Sequence, residues 1–169
     1  MIQTRTNTRR LLLPLAILAV TFAACNNDDD STAQWRKDNQ KAYNEIKASA
    51  AWSPVTLPEG APTGVYYQDL SAGNTAKGSE YPLQTAAVTV NYTGMYYNGT
   101  VFDSGTGAVL TVNKTVRGFG VALQNMVVGD KWSICIPYHL GYGAYSTGSI
   151  PSYSTLFFDI ELVDINQYP

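Results

Sequence analysis

Between Val88 and Gly105 the chain reads VTVNYTGMYYNGTVFDSG, and Tyr92, Tyr96, Tyr97 and Phe102 give it more aromatic surface than one thin strand pair needs for its own packing. Part of that surface is expected to face a cavity, with Asp103 at its edge. Such a cavity can bind and orient a ligand, and the chain offers little with which to do acid–base or covalent work beside it. It has one histidine, His139, no serine in a nucleophile-elbow pattern, no clustered histidine and cysteine ligands for a metal, and no glycine-rich phosphate loop ahead of a helix. Of the two cysteines, Cys135 lies in the apolar run Ile134–Ile136 and reads as a small buried hydrophobe. Pairing it with His139, four residues on, as nucleophile and base is the weaker reading. No metal or cofactor is expected.

Spacing gives the elements that must hold these residues. Val88 and Val90 alternate with Thr89 and Asn91, as a strand with one buried face does. Asn98-Gly99, flanked by Val88–Tyr97 and Thr100–Phe102, marks a hairpin turn, because both residues tolerate positive φ. Ala108–Val112 reads as a short strand, and Val116–Val127 as a helix whose Val116, Phe119, Leu123 and Met126 form one stripe. Gly129-Asp130 closes that helix with a turn. Lys131–Ile136 and Thr155–Ile165 read as strands, the second with Leu156, Phe158, Ile160 and Leu162 on one face. Gly64–Leu70 is the first strand of this unit, followed by a polar loop over Gly73–Tyr81. The sum is one domain of the α+β class, mostly antiparallel strands with one helix on one face.

The run V-x-V-N-Y-T-G followed by N-G-T-x-F-D-S is similar to the first signature of the FKBP-type peptidyl-prolyl isomerases. Three further runs match in order, VRGFGVALQNMVVGD (Val116–Asp130), IPYHLGYG (Ile136–Gly143) and IPSYSTLFFDIELVDI (Ile150–Ile165). The resemblance implies a five- to six-stranded antiparallel sheet wrapped around one short helix, with a ligand pocket between them. It also implies rotation of X-Pro bonds in proline-containing polypeptides. Carried over by position, it assigns Tyr92, Phe102, Asp103, Tyr142 and Phe158 as the catalytic set around the proline ring, with Phe119 as the floor where many members have tryptophan. Thr115, Val116 and Ile150 would stand at the rim and bind substrate, the Tyr142 hydroxyl and the Val116 N–H each meeting a substrate carbonyl. Asp103 would accept a hydrogen bond from Tyr92, the alternative being an aspartate that caps the turn after the hairpin. Tyr96 and Tyr97 read better as core packing, and His139 as a loop residue.

The implied chemistry suits the composition. Rotation about a prolyl amide breaks no σ-bond, and its barrier of about 18–20 kcal/mol is lost resonance, so an aromatic, water-poor pocket suffices. At one place the chain departs from the family. The segment GTGAVLTVN is shortened and offers Ala108 and Leu110 where a phenylalanine usually reaches the pocket wall. A wider pocket, weakened binding of macrolide inhibitors and an altered preference for the residue before proline are expected. The loop Gly141–Ser154 would overhang the site.

Ahead of this domain, residues 1–24 read as a signal peptide. Arg5, Arg9 and Arg10 form a positive start, Leu11–Val20 is an apolar run too short to span a bilayer, and Ala23-Ala24-Cys25 is a small-residue cleavage site. The pattern looks like a bacterial lipoprotein signal, which implies that Cys25 carries the lipid; the alternative is an uncleaved anchor helix. The acidic Asn26–Asp30 cluster resembles the surface-export signal of Bacteroidetes lipoproteins, which leaves open the outer surface or the periplasmic side of the outer membrane. Residues 25–33 are read as an extended acidic tether, 34–50 as an amphipathic helix with Trp35, Ala42, Tyr43 and Ile46 on one face, 51–63 as a linker and 64–169 as the isomerase domain. The helix packs on its own domain or, as the alternative, on another chain. Acids outnumber cations 13 to 11, and loss of the signal's arginines widens the gap, so no nucleic-acid partner is expected. Two other functions stay open on the sequence alone: a non-catalytic proline-peptide-binding or chaperone module on the same fold, and a glycan-binding surface lipoprotein.

Overall fold

A computed structural model describes residues 27–72, 74 and 78–166 of the chain. The signal segment and Cys25 lie outside the described residues. The chain runs α1 (Asn27–Ala48), β1 (Ser53–Thr56), β2 (Pro62–Asp69), β3 (Ala87–Met95), β4 (Val101–Thr111), α2 (Arg117–Leu123), β5 (Lys131–Ile136) and β6 (Leu156–Asn166), with 3₁₀ turns at Val112–Lys114 and Tyr138–Leu140. The six strands form one antiparallel sheet in the order β1-β2-β5-β6-β3-β4. The α+β reading and the sheet around a short helix hold.

The sheet is held by the alternation seen in the sequence. Val88 and Val90 of β3, Ile134 and Ile136 of β5, and Leu156, Phe158, Ile160 and Leu162 of β6 all point inward and are buried. They meet Phe119, Leu123 and Met126 from α2 and the turn after it. α2 is shorter than Val116–Val127. From Asn125 onward the N–H groups reach back three residues, Asn125 to Ala122 (2.9 Å) and Met126 to Leu123 (3.1 Å), so the helix ends while the tightened turn still delivers Met126 to the core. Gly118 lets α2 settle on the sheet, because a Cβ there would collide with Ile136.

Three further boundaries differ from the sequence reading. The stretch 51–63 is not a linker: Ser53–Thr56 pairs with β2, with Pro54 opposite Tyr66, and Val55 is buried. Proline is tolerated there because β1 is an edge strand, where a missing N–H costs nothing to the ladder. β2 accordingly starts at Pro62 rather than Gly64. Ala108–Val112 is not a separate strand but the far half of β4, which crosses Gly105-Thr106-Gly107 by a bulge. Gly107 takes φ +63° and its N–H donates to Asn91 Oδ1 at 2.8 Å, which closes the irregularity. Finally, α1 begins at Asn27, so the acidic stretch read as an extended tether enters the helix, and it ends at Ala48.

α1 lies against its own domain. Tyr43 donates to Gly64 O (2.8 Å), Trp35 donates to Ser154 Oγ (3.2 Å), and Asn39 Oδ1 accepts from the Thr155 N–H (2.8 Å).

Candidate active site

Tyr92 comes from β3, Asp103 and Leu110 from β4, Thr115 and Val116 from the approach to α2, Phe119 from its first turn, Phe158 from β6 and Tyr142 from the loop after β5. Together with Lys114 they line a cavity of about 250 Å³. The rings meet edge to face: Phe119 against Phe158 at 5.0 Å and 81°, and Tyr92 against Phe119 at 6.1 Å and 81°. This geometry sets the positive edge of one ring on the negative face of the next and leaves the space between them apolar. Phe119 is the floor, 4% exposed.

Two positions assigned to the site, Phe102 and Ile150, are not among the residues that line the cavity. Phe102 packs edge-on against Phe158 (5.5 Å) and against Tyr96 (4.9 Å), and Ile150 is buried in the core cluster.

Asp103 lies within β4 rather than in a turn, and it meets the reading as a partner of Tyr92 instead of the turn-capping one. Its Oδ2 accepts the Tyr92 hydroxyl at 2.9 Å, while Oδ1 accepts the Ser104 N–H at 2.9 Å. Burial pushes the Tyr92 phenol above its ordinary value, and the Asp103 hydrogen bond and charge push it further. Tyr142 stands at the mouth, 39% exposed, and burial, then the Asp103 charge, raise its phenol too. Both hydroxyls therefore stay protonated donors at neutral pH. Val116 is the N-cap of α2, so its N–H precedes the helix and has no intrahelical acceptor. The arrangement offers an apolar pocket with donors at its rim.

Sequence reasoning passed over the glycines that make the ring packing possible. A Cβ on Gly94 would stand 2.7 Å from Phe158 Cε1 and 2.8 Å from Phe102 Cε2, and one on Gly105 would stand 2.7 Å from Tyr92 Cε1. Both aromatic walls lie directly on strand backbone. A glycine inside a strand next to aromatic residues is the signal that would have found them. Tyr96 and Tyr97 pack as expected, against Trp35 (5.4 and 5.2 Å) rather than in the cavity. Cys135 is fully buried, and burial pushes its thiol well up, away from the thiolate a nucleophile requires. A larger open groove of about 1000 Å³ runs along the outer side of α1, but its walls come from one helix and Tyr153 and converge no donors on a point.

Comparison with known proteins bears on what this cavity does. A family model described as FKBP-type peptidyl-prolyl cis-trans isomerase matches residues 78–163. The chain is 39% identical over 169 aligned residues to the macrophage infectivity potentiator of Trypanosoma cruzi, covering 90% of this chain and 82% of that one. It is 38% identical over 138 residues to the outer membrane protein MIP of Legionella longbeachae, covering 76% of this chain and 58% of that one. Among solved structures, a peptidyl-prolyl cis-trans isomerase from Pseudomonas syringae pv. tomato superposes with a TM-score of 0.68 at 28% identity, over 80% of this chain and 96% of the other.

Proposed function

The chain belongs to the FKBP-type peptidyl-prolyl cis-trans isomerases, enzymes that rotate X-Pro bonds, and we propose that the cavity under Tyr142 is where it does so, on exported polypeptides at the cell envelope. The observation that carries this is the aromatic enclosure itself: Tyr92, Phe119 and Phe158 surround an apolar space with Asp103 and Tyr142 at its edge. A proline ring fits such a space, and its planar amide then lies at the mouth.

Catalysis follows from what the twisted amide lacks. Planar X-Pro amides are zwitterionic through resonance, and the transition state has lost that charge separation. Water favours the planar forms, so a site that replaces water with rings lowers the relative cost of twisting. An acceleration of about 10⁵ would require roughly 7 kcal/mol from this substitution and from shape complementarity to the twisted form. The Tyr142 hydroxyl and the Val116 N–H hold the flanking carbonyls and fix which bond sits in the cavity. A donor that bound the planar carbonyl more tightly than the twisted one would slow the reaction, so their work is orientation. Tyr92 and Asp103 hold each other and keep that wall in place. Thr115 donates its own hydroxyl to Val112 O (2.8 Å) and so shapes the rim through its methyl group.

Leu110 in the lining, with the small Ala108 next to it in β4, leaves the β4 side of the cavity wide. Weakened macrolide binding and an altered preference for the residue before proline follow. Residues 1–24 as a signal and a lipid on Cys25 complete the proposal, placing the enzyme on the outer membrane. Their support is the Arg5–Arg10 charge, the Leu11–Val20 run and the Ala23-Ala24-Cys25 triplet.

The test is cis-to-trans isomerisation of a proline tetrapeptide by the full chain in mild detergent, beside a Phe102→Ala, Asp103→Val double variant. Activity in the wild type that is lost in a folded variant supports the site. A folded wild type without activity rejects the enzyme reading and leaves a proline-peptide-binding module, to be measured by titration. Metabolic labelling with a fatty acid, with and without Cys25→Ser, checks the anchor.

A further inference from the structure

One wall of the cavity is supplied by no strand. The segment from Gly141 to Thr155 carries Tyr142 at the mouth and Ile150 behind it, and it folds back on itself through Tyr153 N–H to Gly143 O (2.9 Å) and a Thr147–Ile150 bridge. Tyr153 takes φ +61°, a value found at no other non-glycine among the described residues. A bulky residue keeps the left-handed conformation only where its surroundings over-determine it.

Those surroundings are α1. The Arg36 guanidinium lies 4.2 Å from the centre of the Tyr153 ring. The Trp35 indole N–H donates to Ser154 Oγ (3.2 Å), which in turn donates to Pro151 O (2.7 Å). Asn39 accepts the Thr155 N–H on Oδ1 (2.8 Å), takes the Thr155 hydroxyl on its backbone O (3.1 Å), and donates its amide to Trp35 O (2.8 Å). Three consecutive residues, Tyr153, Ser154 and Thr155, are thus gripped by Arg36, Trp35 and Asn39. Trp35 also reaches the segment by a second route: its ring meets Tyr96, whose hydroxyl donates to Ser149 O (2.8 Å) and whose ring packs on Phe102.

Asn39 is 1% exposed within the face α1 turns to the domain. An apolar side chain would bury that face equally well. A satisfied buried amide adds direction, fixing where Thr155 lies rather than only that it is covered. We infer that Trp35 and Asn39 are positioning residues of the isomerase site: through Ser154 and Thr155 they hold the Gly141–Thr155 segment in the shape that sets Tyr142 over the cavity. α1 is then part of the enzyme's substrate-binding unit and not only an appendage before it. This rests on the reading of the cavity as the isomerase site.

The experiment uses the full chain with Asn39→Ala and, separately, Trp35→Phe, which keeps the ring and removes the bond to Ser154. KM and kcat for a proline tetrapeptide are measured well below the melting temperature, with hydrogen exchange at the Tyr153 amide, whose acceptor neither change touches. KM is expected to rise ~5-fold with kcat held within about twofold, since orientation at the mouth is lost and the rings are not. Tyr153 exchange accelerates while Ile134 and Leu162 exchange is unchanged. A purely structural role would lower the melting temperature and leave KM alone, and unchanged KM in the folded variants of an active wild type overturns the inference. Should Asn39→Ala fail to fold, Trp35→Phe decides by the same criteria. A wild type with no activity overturns the proposed function instead, and with it the catalytic half of this inference.

Discussion

The cavity and the seam under α1 are built of the same material, aromatic rings with polar edges, and differ in what they leave unfilled. In the seam Trp35, Tyr96 and Tyr97 meet ring to ring, and each polar edge finds a protein partner: Ser154, Ser149 and Asp38. In the cavity Tyr92, Phe119 and Phe158 stand at 5.0 to 6.4 Å from one another and keep about 250 Å³ between them and the mouth. Aromatic abundance therefore does not mark a site. What marks it is ring packing that stops short of closure, with donors turned toward the gap.

Changes on the two sides should separate accordingly. The largest effect is expected from Phe158→Ala, which removes the ring shared by Phe102, Phe119 and Tyr92. Denaturant melts should show a loss of about 3–5 kcal/mol, with isomerisation abolished even where the protein stays folded. Gly94→Ala comes next. Its new methyl must displace the Phe102 and Phe158 rings, at a cost of about 1–3 kcal/mol by overpacking, and ligand titration should show the cavity narrowed.

Tyr92→Phe and Tyr97→Phe each delete one hydroxyl bonded to an aspartate, on opposite sides of the comparison. The first should cost about 1 kcal/mol and lower kcat/KM several-fold by releasing Asp103. The second removes a long 3.4 Å bond and should leave kcat/KM where it was. Equal losses from the two would erase the distinction between seam and cavity.

The smallest effect is alkaline. Burial, with the neighbouring Tyr66 and Cys135 adding to it, raises the Tyr43 phenol from 10.0 to about 12. A raised folded value means the contribution is whole below pH 10 and is lost as pH climbs toward 12. Melts across that window should show Tyr43→Phe losing less stability with pH than the wild type. A parallel decline in both would place the loss elsewhere.

How much of this was legible depended on how local the cause was. The hairpin around Asn98-Gly99, the inward set of β6 and the meeting of Tyr92 with Asp103 follow from alternation, turn chemistry and the family runs, all of which act over a few residues. β1 was missed because Pro54 reads as a breaker unless the strand is known to lie at an edge, and edges are set by the whole sheet. The far half of β4 looked separate because only the Asn91 side chain, sixteen residues earlier, repairs the break at Gly107. Phe102 and Ile150 were placed at the site by family position, but they do not line the cavity: the Phe102 ring lies close to Gly94 and Ile150 is in the core cluster. Asn39 was invisible because its partner, Thr155, is 116 residues away.

The sealed thiol of Cys135 has a consequence of another kind. It lies in β5, paired with Tyr66 on one side and Phe157 on the other, with no surface in contact with solvent. Between Ile134 and Ile136, which face the core, it points to the other side of the sheet, where α1 covers it with Tyr43 close by; a reagent reaches it once α1 lifts, so its alkylation rate counts departures of that helix as well as openings of the entire domain. The thiol thus serves as a chemical clock for the seating of α1 on the sheet.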